Sequence, residues 1–271
     1  MAVETESVVV SNRKIQSVYF KLEIRCPPIA QHIEPGQFVM LRVAQTSPFL
    51  LRRPFSVYRT LSTRHPDGSR KDRLVIIYKK VGKGTEKMTA LEAGETVDLI
   101  GPLGNGFRLP PLPSSASVVL IGGGVGIVSL YSLGETLKAG HLSVFVGGRT
   151  RQDVLCVKDF ARLEATVFTA TEDGSLGFKG TVIDLFRSEK RKFEGDGVCY
   201  VYACGPMAML KELSKAVRSK RFISQGSLET RMACGFGACY GCVVKTRNPE
   251  TPYLRVCKEG PVFDLSEIVW E

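Results

Sequence analysis

The sequence predicts a multidomain protein made of an antiparallel β-barrel, a doubly wound parallel α/β domain and a small C-terminal metal-binding segment. Short strand-like runs separated by Pro and Gly clusters fill residues 1–110, which is typical of a barrel. Over residues 111–222 apolar strands alternate with helical stretches, which indicates a parallel sheet. Residues 223–271 carry four cysteines in a close pattern and form the predicted third unit.

The composition is that of an ordinary globular protein, with 271 residues, 44% of them hydrophobic and 24% charged. The net charge is +10, but the basic residues are scattered, so nucleic-acid binding is not expected. The first residues lack the pattern of a signal peptide, and the most apolar stretch, Val118 to Leu133, is interrupted by four glycines. We therefore expect a cytoplasmic protein that does not span a membrane.

Four runs in the first domain predict its strands: residues 17–24, 37–43, 73–79 and 96–100. Within the predicted barrel, residues 53–56 (Arg-Pro-Phe-Ser) offer a guanidinium for pyrophosphate and a hydroxyl for a flavin ring. Residues 77–79 would run along the ring and the ribityl chain. Residues 82–85 (Gly-Lys-Gly-Thr) lead into a short helix whose first N–H groups would bind phosphate. A glycine-rich loop at residues 101–107 is expected beside the flavin.

Each of these three motifs is weak alone, but their order within one barrel favours a flavin site.

The second domain follows a Pro/Ser-rich linker at residues 110–115. Strands are predicted over residues 117–121, 141–146, 165–170 and 197–203, with an apolar segment at 182–186. The predicted helices cover residues 127–139, 153–164 and 207–219. Ligands bind such sheets at the carboxyl ends of the strands.

Two motifs stand at these strand ends. Gly122, Gly123, Gly124 and Gly126 lie between a strand and a helix, which suits close approach of a nucleotide pyrophosphate. The pattern is not G-x-G-x-x-G, so a Rossmann dehydrogenase is not supported. The tripeptide Cys204-Gly205-Pro206 ends another strand, where a thiol would face a nicotinamide ring; a purely structural turn is the alternative.

The sequence predicts no acid–base catalytic residues. It contains three His residues and neither a Ser-His-Asp nor an H-E-x-x-H pattern.

The C-terminal cysteines predict a metal centre. Cys234, Cys239 and Cys242 follow the spacing C-x4-C-x2-C, and Cys257 comes fifteen positions later. This is the plant-type ferredoxin spacing for a [2Fe-2S] cluster, and the interspersed glycines supply the positive φ angles that such a loop needs. A structural zinc site and unrelated buried thiols are the alternatives, although zinc sites usually present two short C-x2-C pairs.

The remaining cysteines are isolated in the sequence. We expect Cys26, Cys156 and Cys199 to be buried thiols.

Together the motifs resemble the ferredoxin–NADP reductase superfamily. The glycine loop at residues 101–107 and the segments 227–242 and 256–263 narrow the resemblance to the electron-transfer subunit of NAD-linked (class 1B) dihydroorotate dehydrogenase. The resemblance covers nearly the whole chain. One departure is that Ile127 is followed by Val128 and Ser129, where the superfamily usually has Ala-Pro, which leaves the detailed shape of the nucleotide pocket open.

The resemblance implies an oxidoreductase component of de novo pyrimidine (UMP) biosynthesis. It implies FAD in the barrel, a [2Fe-2S] cluster in the C-terminal segment, and NAD(H) as an exchangeable substrate. It also implies an FMN-containing catalytic subunit as partner, in a heterotetramer of two plus two. Electrons would pass from dihydroorotate to FMN, to the cluster, to FAD and then to NAD. The chain alone is not expected to oxidise dihydroorotate.

Carried onto this sequence, the resemblance assigns the following contacts. The FAD contacts would be Arg53, Pro54, Phe55, Ser56, Ile77, Tyr78, Lys79, Gly84 and Thr85. The cluster ligands would be Cys234, Cys239, Cys242 and Cys257. The two strand-end motifs would bind the nucleotide.

Three questions stay open at this stage. The small flavin/iron–sulfur subunit of an NADP:ferredoxin oxidoreductase, sulfide dehydrogenase or sulfite reductase complex is an alternative function. A zinc-stabilised binding module with a degenerate reductase fold is another. Arg149 and Arg151 follow the second strand of the nucleotide domain, where they would bind a 2′-phosphate of NADP or simply cap a surface turn.

Overall fold

The computed structural model describes residues 1–43, 51–62, 71–111, 113, 116–137, 142–195 and 197–270. Linker positions 112, 114 and 115, helix positions 138 and 139, and strand position 141 of the predictions above lie outside these described residues. No helix in the described ranges is long and apolar enough to cross a membrane.

The first domain is an antiparallel half-barrel, as predicted. Its seven strands lie in the order β4-β3-β7-β1-β2-β6-β5. The strands are β1 (Val3–Gln16), β2 (Tyr19–Arg25), β3 (Phe38–Arg42), β4 (Arg53–Ser56), β5 (Arg59–Ser62), β6 (Lys71–Lys79) and β7 (Thr96–Leu103). Two short helices complete it, α1 (Pro27–Ala30) and α2 (Lys83–Met88).

Alternation of side chains builds the core of this domain. In β7 every second residue is buried, so that one face of the strand packs inward while the other faces solvent. Leu41, Leu74 and Leu99 are fully buried in the cluster that fills the half-barrel. The sequence predicted β2, β3, β6 and β7, because these carry the clearest alternating or continuous apolar runs between turn residues.

The second domain is a doubly wound sheet in the order β11-β10-β9-β8-β12-β13-β16, also as predicted. Its strands are β8 (Ser117–Gly123), β9 (Leu142–Gly148), β10 (Thr166–Thr171), β11 (Phe178–Lys179), β12 (Cys199–Cys204) and β13 (Phe222–Ser227), with β16 (Val262–Asp264) antiparallel at the edge. The chain runs from β8 outward to β11 and then returns to β12 on the other side of β8. The carboxyl ends of β8 and β12 therefore form the topological switch point, where such sheets bind ligands.

The helices of this domain are α3 (Tyr131–Leu137), α4 (Val157–Ala161), α5 (Val182–Glu189) and α6 (Met207–Ala216). Two predicted helices differ from the structure. The one predicted from residue 127 begins as a 3-10 helix, Gly124–Leu130, before α3. The one predicted over residues 153–164 is split into a 3-10 turn, Arg151–Asp153, and α4, because Cys156 adopts a left-handed conformation with φ of 61°.

The C-terminal segment is an excursion from the second sheet. It leaves β13 after Ser227, forms a small hairpin of β14 (Val243–Lys245) and β15 (Tyr253–Arg255), and returns as β16, which pairs with β13. The predicted boundary between residues 222 and 223 falls at the start of β13, so this strand spans it. Both ends of the segment are thus held by one sheet.

Candidate functional site

A cavity of about 620 Å³ lies between the half-barrel and the nucleotide domain. It is of the size that small-molecule cofactors occupy in proteins. The residues that line it are Phe38, Arg53, Pro54, Phe55, Ser56, Ile77, Tyr78, Lys79, Val81, Gly82, Lys83, Gly84, Thr85, Val125, Gly126, Val128, Ser227, Leu228, Glu229, Thr230, Met232 and Pro261. All nine residues predicted to contact FAD are among them.

Arg53 and Gly84 pack directly against each other in this cavity. A Cβ atom on Gly84 would lie 2.1 Å from Nε and 2.4 Å from Cζ of Arg53, so only glycine leaves room for the guanidinium. Arg53 begins the edge strand β4, where the following Pro54 costs no ladder hydrogen bond on the open side. The guanidinium is therefore fixed beside the start of α2, an arrangement that fits a pyrophosphate.

The turn before α2 is closed by Thr85. Its hydroxyl accepts hydrogen bonds from the N–H groups of Val81 (2.9 Å) and Gly82 (3.1 Å) and donates to the carbonyl of Gly82 (3.0 Å). The hydroxyl is thus engaged in shaping the turn, and its predicted contact with a phosphate stays a prediction.

Tyr78 supplies part of the apolar wall. Its ring stacks on Phe20 with centroids 5.6 Å apart and meets Phe55 edge-on at 6.1 Å. Its hydroxyl hydrogen-bonds Oδ1 of Asn12 at 3.2 Å, and burial raises the pKa of Tyr78 to about 12. The phenol is therefore neutral and rigid, as suits a wall for a flat aromatic ligand.

Lys79 lines the cavity, as the predicted residues 77 and 78 do, and its contact with a flavin stays a prediction. Its Nζ lies 3.1 Å from Oδ1 of Asp153 in the nucleotide domain. Asp153 was not predicted as a site residue, because nothing in the sequence near residue 153 indicates a partner in the barrel.

The two nucleotide motifs meet at the switch point. A Cβ on Gly126 would lie 2.5 Å from the carbonyl oxygen of Cys204, and one on Gly123 would lie 3.0 Å from Cδ of Pro206. The loops therefore pack backbone to backbone, which only glycine allows. Of the seven predicted nucleotide contacts, Gly126 alone lines the cavity; Gly122, Gly123, Gly124, Cys204, Gly205 and Pro206 do not.

Cys204 is 1% exposed behind the glycine loop. Burial, and secondarily the charge of Glu229, raises the pKa of Cys204 to about 12, while hydrogen bonds with Ser129 and Ser227 lower it slightly. The thiol is therefore protonated at neutral pH. Ser129, the residue that departs from the superfamily pattern, also donates to the carbonyl of Gly126 at 2.9 Å and so stabilises the loop.

Sequence reasoning missed the cavity wall contributed by residues 227–232. Glu229 lines the cavity and is exposed to it, and partial desolvation by the surrounding protein raises the pKa of its carboxyl group. These residues entered the sequence analysis as part of the segment 227–242 that carries the resemblance, but nothing in that segment indicated that they would line a cavity.

The four predicted ligands form two pairs. Sγ of Cys242 and Sγ of Cys257 are 3.2 Å apart and buried, while Cys234 hydrogen-bonds Cys239, which is exposed. Among the described residues no group of three or more His, Cys, Asp and Glu side chains surrounds a single point. A zinc ion needs four ligands around one point, whereas a cluster of two irons needs two thiolates for each iron. The two-pair arrangement therefore fits a [2Fe-2S] cluster better than zinc.

The loop also supplies hydrogen bonds to sulfur. Partial burial raises the pKa of Cys234, but the backbone N–H groups of Cys239, Phe236 and Ala238 outweigh it and bring the pKa to about 6. A thiolate that accepts several N–H bonds is typical of iron–sulfur sites, where such bonds tune the metal. Gly235 and Gly237 make the wrap possible, with φ of 82° and 89°.

Met40 of β3 supports this loop from the barrel. A Cβ on Gly235 would lie 2.4 Å from Cγ of Met40. Met40 in turn pairs with Pro54 of β4, within the motif at residues 53–56. Met40 thus lies between the cysteine loop and the flavin motif at residues 53–56.

The glycine-rich loop at residues 101–107 packs behind the cavity wall, where Gly104 contacts Phe38 and Pro261, and its expected place beside the flavin stays a prediction. Among the described residues that line the cavity, none belongs to it. Instead Asn105 donates to the carbonyls of Lys258 (3.1 Å) and Glu259 (2.9 Å), directly after the fourth cysteine. The loop anchors the cysteine segment to the barrel and does not wall the cavity.

Two known protein families match this chain. Residues 229–269 match the iron-sulfur cluster binding domain of dihydroorotate dehydrogenase B. Residues 120–215 match the oxidoreductase NAD-binding domain. The two matches coincide with the cysteine segment and with the doubly wound sheet.

Two relatives are similar over nearly their full lengths. The dihydroorotate dehydrogenase B (NAD(+)) electron transfer subunit of Desulforamulus reducens is 39% identical, with 97% of this chain and 99% of that protein covered. The subunit of the same name from Geobacillus thermodenitrificans is also 39% identical, with 96% of each chain covered.

Solved structures share the fold. An NADH-dependent reduced ferredoxin-NADP oxidoreductase aligns with a TM-score of 0.80 and 28% identity, over 97% of this chain and 90% of that one. The cytochrome P450 reductase GcoB of Amycolatopsis aligns with a TM-score of 0.65 and 23% identity, over 82% and 69% of the two chains, which bears on the fold alone.

Proposed function

The chain belongs to the family of electron transfer subunits of dihydroorotate dehydrogenase B (NAD(+)), and we propose on this basis that it passes electrons between a dihydroorotate-oxidising catalytic subunit and NAD. The catalytic subunit would contain FMN, and the complex would serve pyrimidine synthesis in the cytoplasm. NAD is the proposed nucleotide, because the relatives carry NAD(+) in their names.

Three groups of residues would hold the cofactors. FAD would occupy the large cavity, with Arg53 and the start of α2 at its phosphates and Tyr78 against its ring. The two cysteine pairs would hold the [2Fe-2S] cluster. NAD would approach the switch point at the glycine loop of Gly126, with Cys204 buried behind it. When bound, the flavin exchanges electron pairs with NAD and single electrons with the cluster.

The protein itself would position the cofactors. Gly84 leaves room for the guanidinium of Arg53, Phe20 and Phe55 pack against the ring of Tyr78, and Cys204 is a neutral thiol behind the glycine loop. No side chain is proposed as an acid–base catalyst, and oxidation of dihydroorotate is left to the partner.

One observation carries the proposal: the cavity and the cysteine loop share a wall. Met232 lines the cavity two residues before Cys234, and Met40 connects the loop to β4. A flavin in the cavity and a cluster in the loop would therefore be neighbours, as a relay between one-electron and two-electron carriers requires.

The partner would dock on the exposed side of the loop. Cys239 is exposed there, and apolar or aromatic side chains around it are unusually open to solvent. Their exposed fractions are 53% for Phe236, 62% for Tyr240, 40% for Val243 and 61% for Tyr253. Exposed aromatic groups of this kind mark protein interfaces.

Reconstitution tests the proposal. The chain, loaded with FAD and iron–sulfur cluster, is mixed with an FMN-containing dihydroorotate dehydrogenase catalytic subunit, and NAD reduction that depends on dihydroorotate is measured. Each subunit alone serves as the control. We expect turnover with NAD in the complex only. Activity with ferredoxin or sulfite, and none with dihydroorotate, would contradict the proposal.

A second candidate is the small subunit of an NADP:ferredoxin oxidoreductase complex. The TM-score of 0.80 to such a structure favours it, but the identity is 28%, against 39% for the dihydroorotate dehydrogenase subunits. The same reconstitution separates the two candidates.

A further inference from the structure

The carboxylate of Asp153 contacts the half-barrel from the turn that follows β9 of the nucleotide domain. Asp153 ends the 3-10 turn Arg151–Asp153 that follows β9. Its Oδ1 accepts a hydrogen bond from the hydroxyl of Tyr19 at 2.6 Å and lies 3.1 Å from Nζ of Lys79. Tyr19 begins β2 and Lys79 ends β6, so both donors come from the half-barrel.

The turn Arg151–Asp153 makes hydrogen bonds to two further elements. The side-chain amide of Gln16 in β1 donates to the carbonyl of Gln152 at 2.8 Å, with the carbonyl of Arg151 at 3.3 Å. From the other side, the N–H of Arg151 donates to Oγ of Ser175 at 2.7 Å. The turn is therefore held between the barrel and the loop after β10.

The carboxyl group of Asp153 stays ionised although it is partly buried. Its side chain is 18% exposed and Tyr19 is 1% exposed. Burial raises the pKa of Asp153, but the hydrogen bonds from Tyr19 and Lys79 outweigh this and hold it below its ordinary value. The ammonium of Lys79 also lies 5.2 Å from the centre of the Tyr19 ring, so the three groups form one compact cluster.

This cluster connects the two binding surfaces of the proposed function, on which the inference rests. Ile77 and Tyr78, which precede Lys79 on β6, line the flavin cavity. The turn of Asp153 follows the carboxyl end of β9, the strand beside β8 and its glycine loop. We propose that Asp153 is a positioning residue that fixes the nucleotide-binding edge against β6 and so aligns nicotinamide with flavin, without touching either.

Loss of this contact would loosen the alignment without separating the domains. Arg59 and Glu135 form an interdomain ion pair at 2.6 Å, and the rings of Tyr58 and Tyr131 stack across the same interface at 4.5 Å. These contacts remain when Asp153 is changed. Misplacement of reacting groups by about 1 Å costs up to about 100-fold in rate.

The test compares Asp153→Ala and Tyr19→Phe with Glu212→Ala as matched control. Like Asp153, Glu212 is a carboxylate with two partners, Arg187 and Lys215, but both partners belong to the nucleotide domain and Glu212 does not line the cavity. In the FAD-loaded chain, stopped-flow absorbance gives the limiting rate of flavin reduction by NADH and the Kd of NADH. Redox titration gives the flavin midpoint potential. Amide hydrogen exchange of residues 150–154 is measured without any nucleotide.

We expect Asp153→Ala to lower the limiting rate about 10- to 100-fold and to speed exchange in the turn. The Kd of NADH, the flavin content and the midpoint potential should stay near those of the unchanged chain. Tyr19→Phe should act in the same direction but less, and the double variant should be no slower than Asp153→Ala. Glu212→Ala should change none of these quantities.

An unchanged limiting rate in both variants would overturn the proposal. So would a rate that falls only in proportion to lost flavin or to a shifted midpoint potential, since the effect would then be structural or electrostatic. If the unchanged FAD-loaded chain is not reduced by NADH at all, the proposed function fails first, and the two failures are thereby distinguished.

Discussion

We expect Gly84→Ala to weaken FAD binding and to leave the stability of the fold nearly unchanged. A methyl group there would lie 2.1 Å from Nε, 2.4 Å from Cζ and 2.6 Å from Nη2 of Arg53, so the guanidinium must move. The backbone itself is no obstacle, because Gly84 lies in helix α2 without a positive φ. Alanine in a helix is favoured over glycine by about 0.5–1 kcal/mol.

The effect on FAD affinity and the effect on stability differ in size and are measured separately. Displacing Arg53 removes a hydrogen bond between charged groups, worth about 1.5–3 kcal/mol. At about 1.4 kcal/mol per factor of ten, FAD affinity should fall about 10- to 150-fold. The free energy of unfolding of the flavin-free chain should stay within about 1 kcal/mol of the original, because the helix gain offsets the displaced side chain.

Fluorescence titration of the flavin-free protein with FAD gives the affinity, and urea unfolding gives the stability. Gly195→Ala is the control, since no atom lies within 4 Å of a Cβ at that position. Arg53→Ala should reproduce the loss of affinity, and the double variant should add little to it. Full FAD affinity in Gly84→Ala, or losses that add in the double variant, would refute the assignment of Arg53 to the cofactor.

Three further predictions concern the cysteines and the docking surface. Cys239→Ala should abolish the visible and EPR signals of the cluster and turnover with the partner, while flavin reduction by NADH persists; loss of both would show that the cluster holds the flavin site together. Burial raises the pKa of Cys199 and Cys204 to about 12 from an ordinary 9.0, so the free energy of unfolding should fall as the pH rises from about 9 toward 12. Urea titrations under reducing conditions should show a flatter fall in Cys199→Ala, and a pH-independent stability would contradict the burial of these thiols. Phe236→Glu should weaken association with the catalytic subunit by about 2 kcal/mol or more, whereas Phe178→Glu, on the distant strand β11, should not; equal effects in a binding titration would argue against the proposed surface.

The sequence was sufficient for the architecture because local patterns determine it. Alternation predicted strands such as β7, and the glycine loop after β8 predicted the nucleotide edge. What it did not predict depends on contacts between residues far apart in the chain. The pairing of Asp153 with Tyr19 and Lys79 spans 134 and 74 positions, and no local pattern announces it.

The site was predicted unevenly for the same reason. The flavin motifs and the cysteines carry their chemistry in adjacent residues, so spacing identified them. Glu229 lines the cavity because it directly follows the end of β13. The loop that contains Asn105 hydrogen-bonds the cysteine segment, a contact that no local pattern indicates. The backbone conformation was not predicted either: Cys156 adopts a left-handed φ that splits a predicted helix into a 3-10 turn and α4.

The cysteine segment lies between β13 and β16, and this placement affects how the protein acquires its cluster. A free tail would have to search widely before its four thiols met a cluster, but this segment is tethered at both ends to adjacent strands. Leu228 and Pro261, at its two ends, are joined by a backbone hydrogen bond of 2.9 Å. We therefore expect the host fold to persist when the cluster is lost to oxidation. Repair would then be a local event on a finished protein, with no return to the unfolded chain.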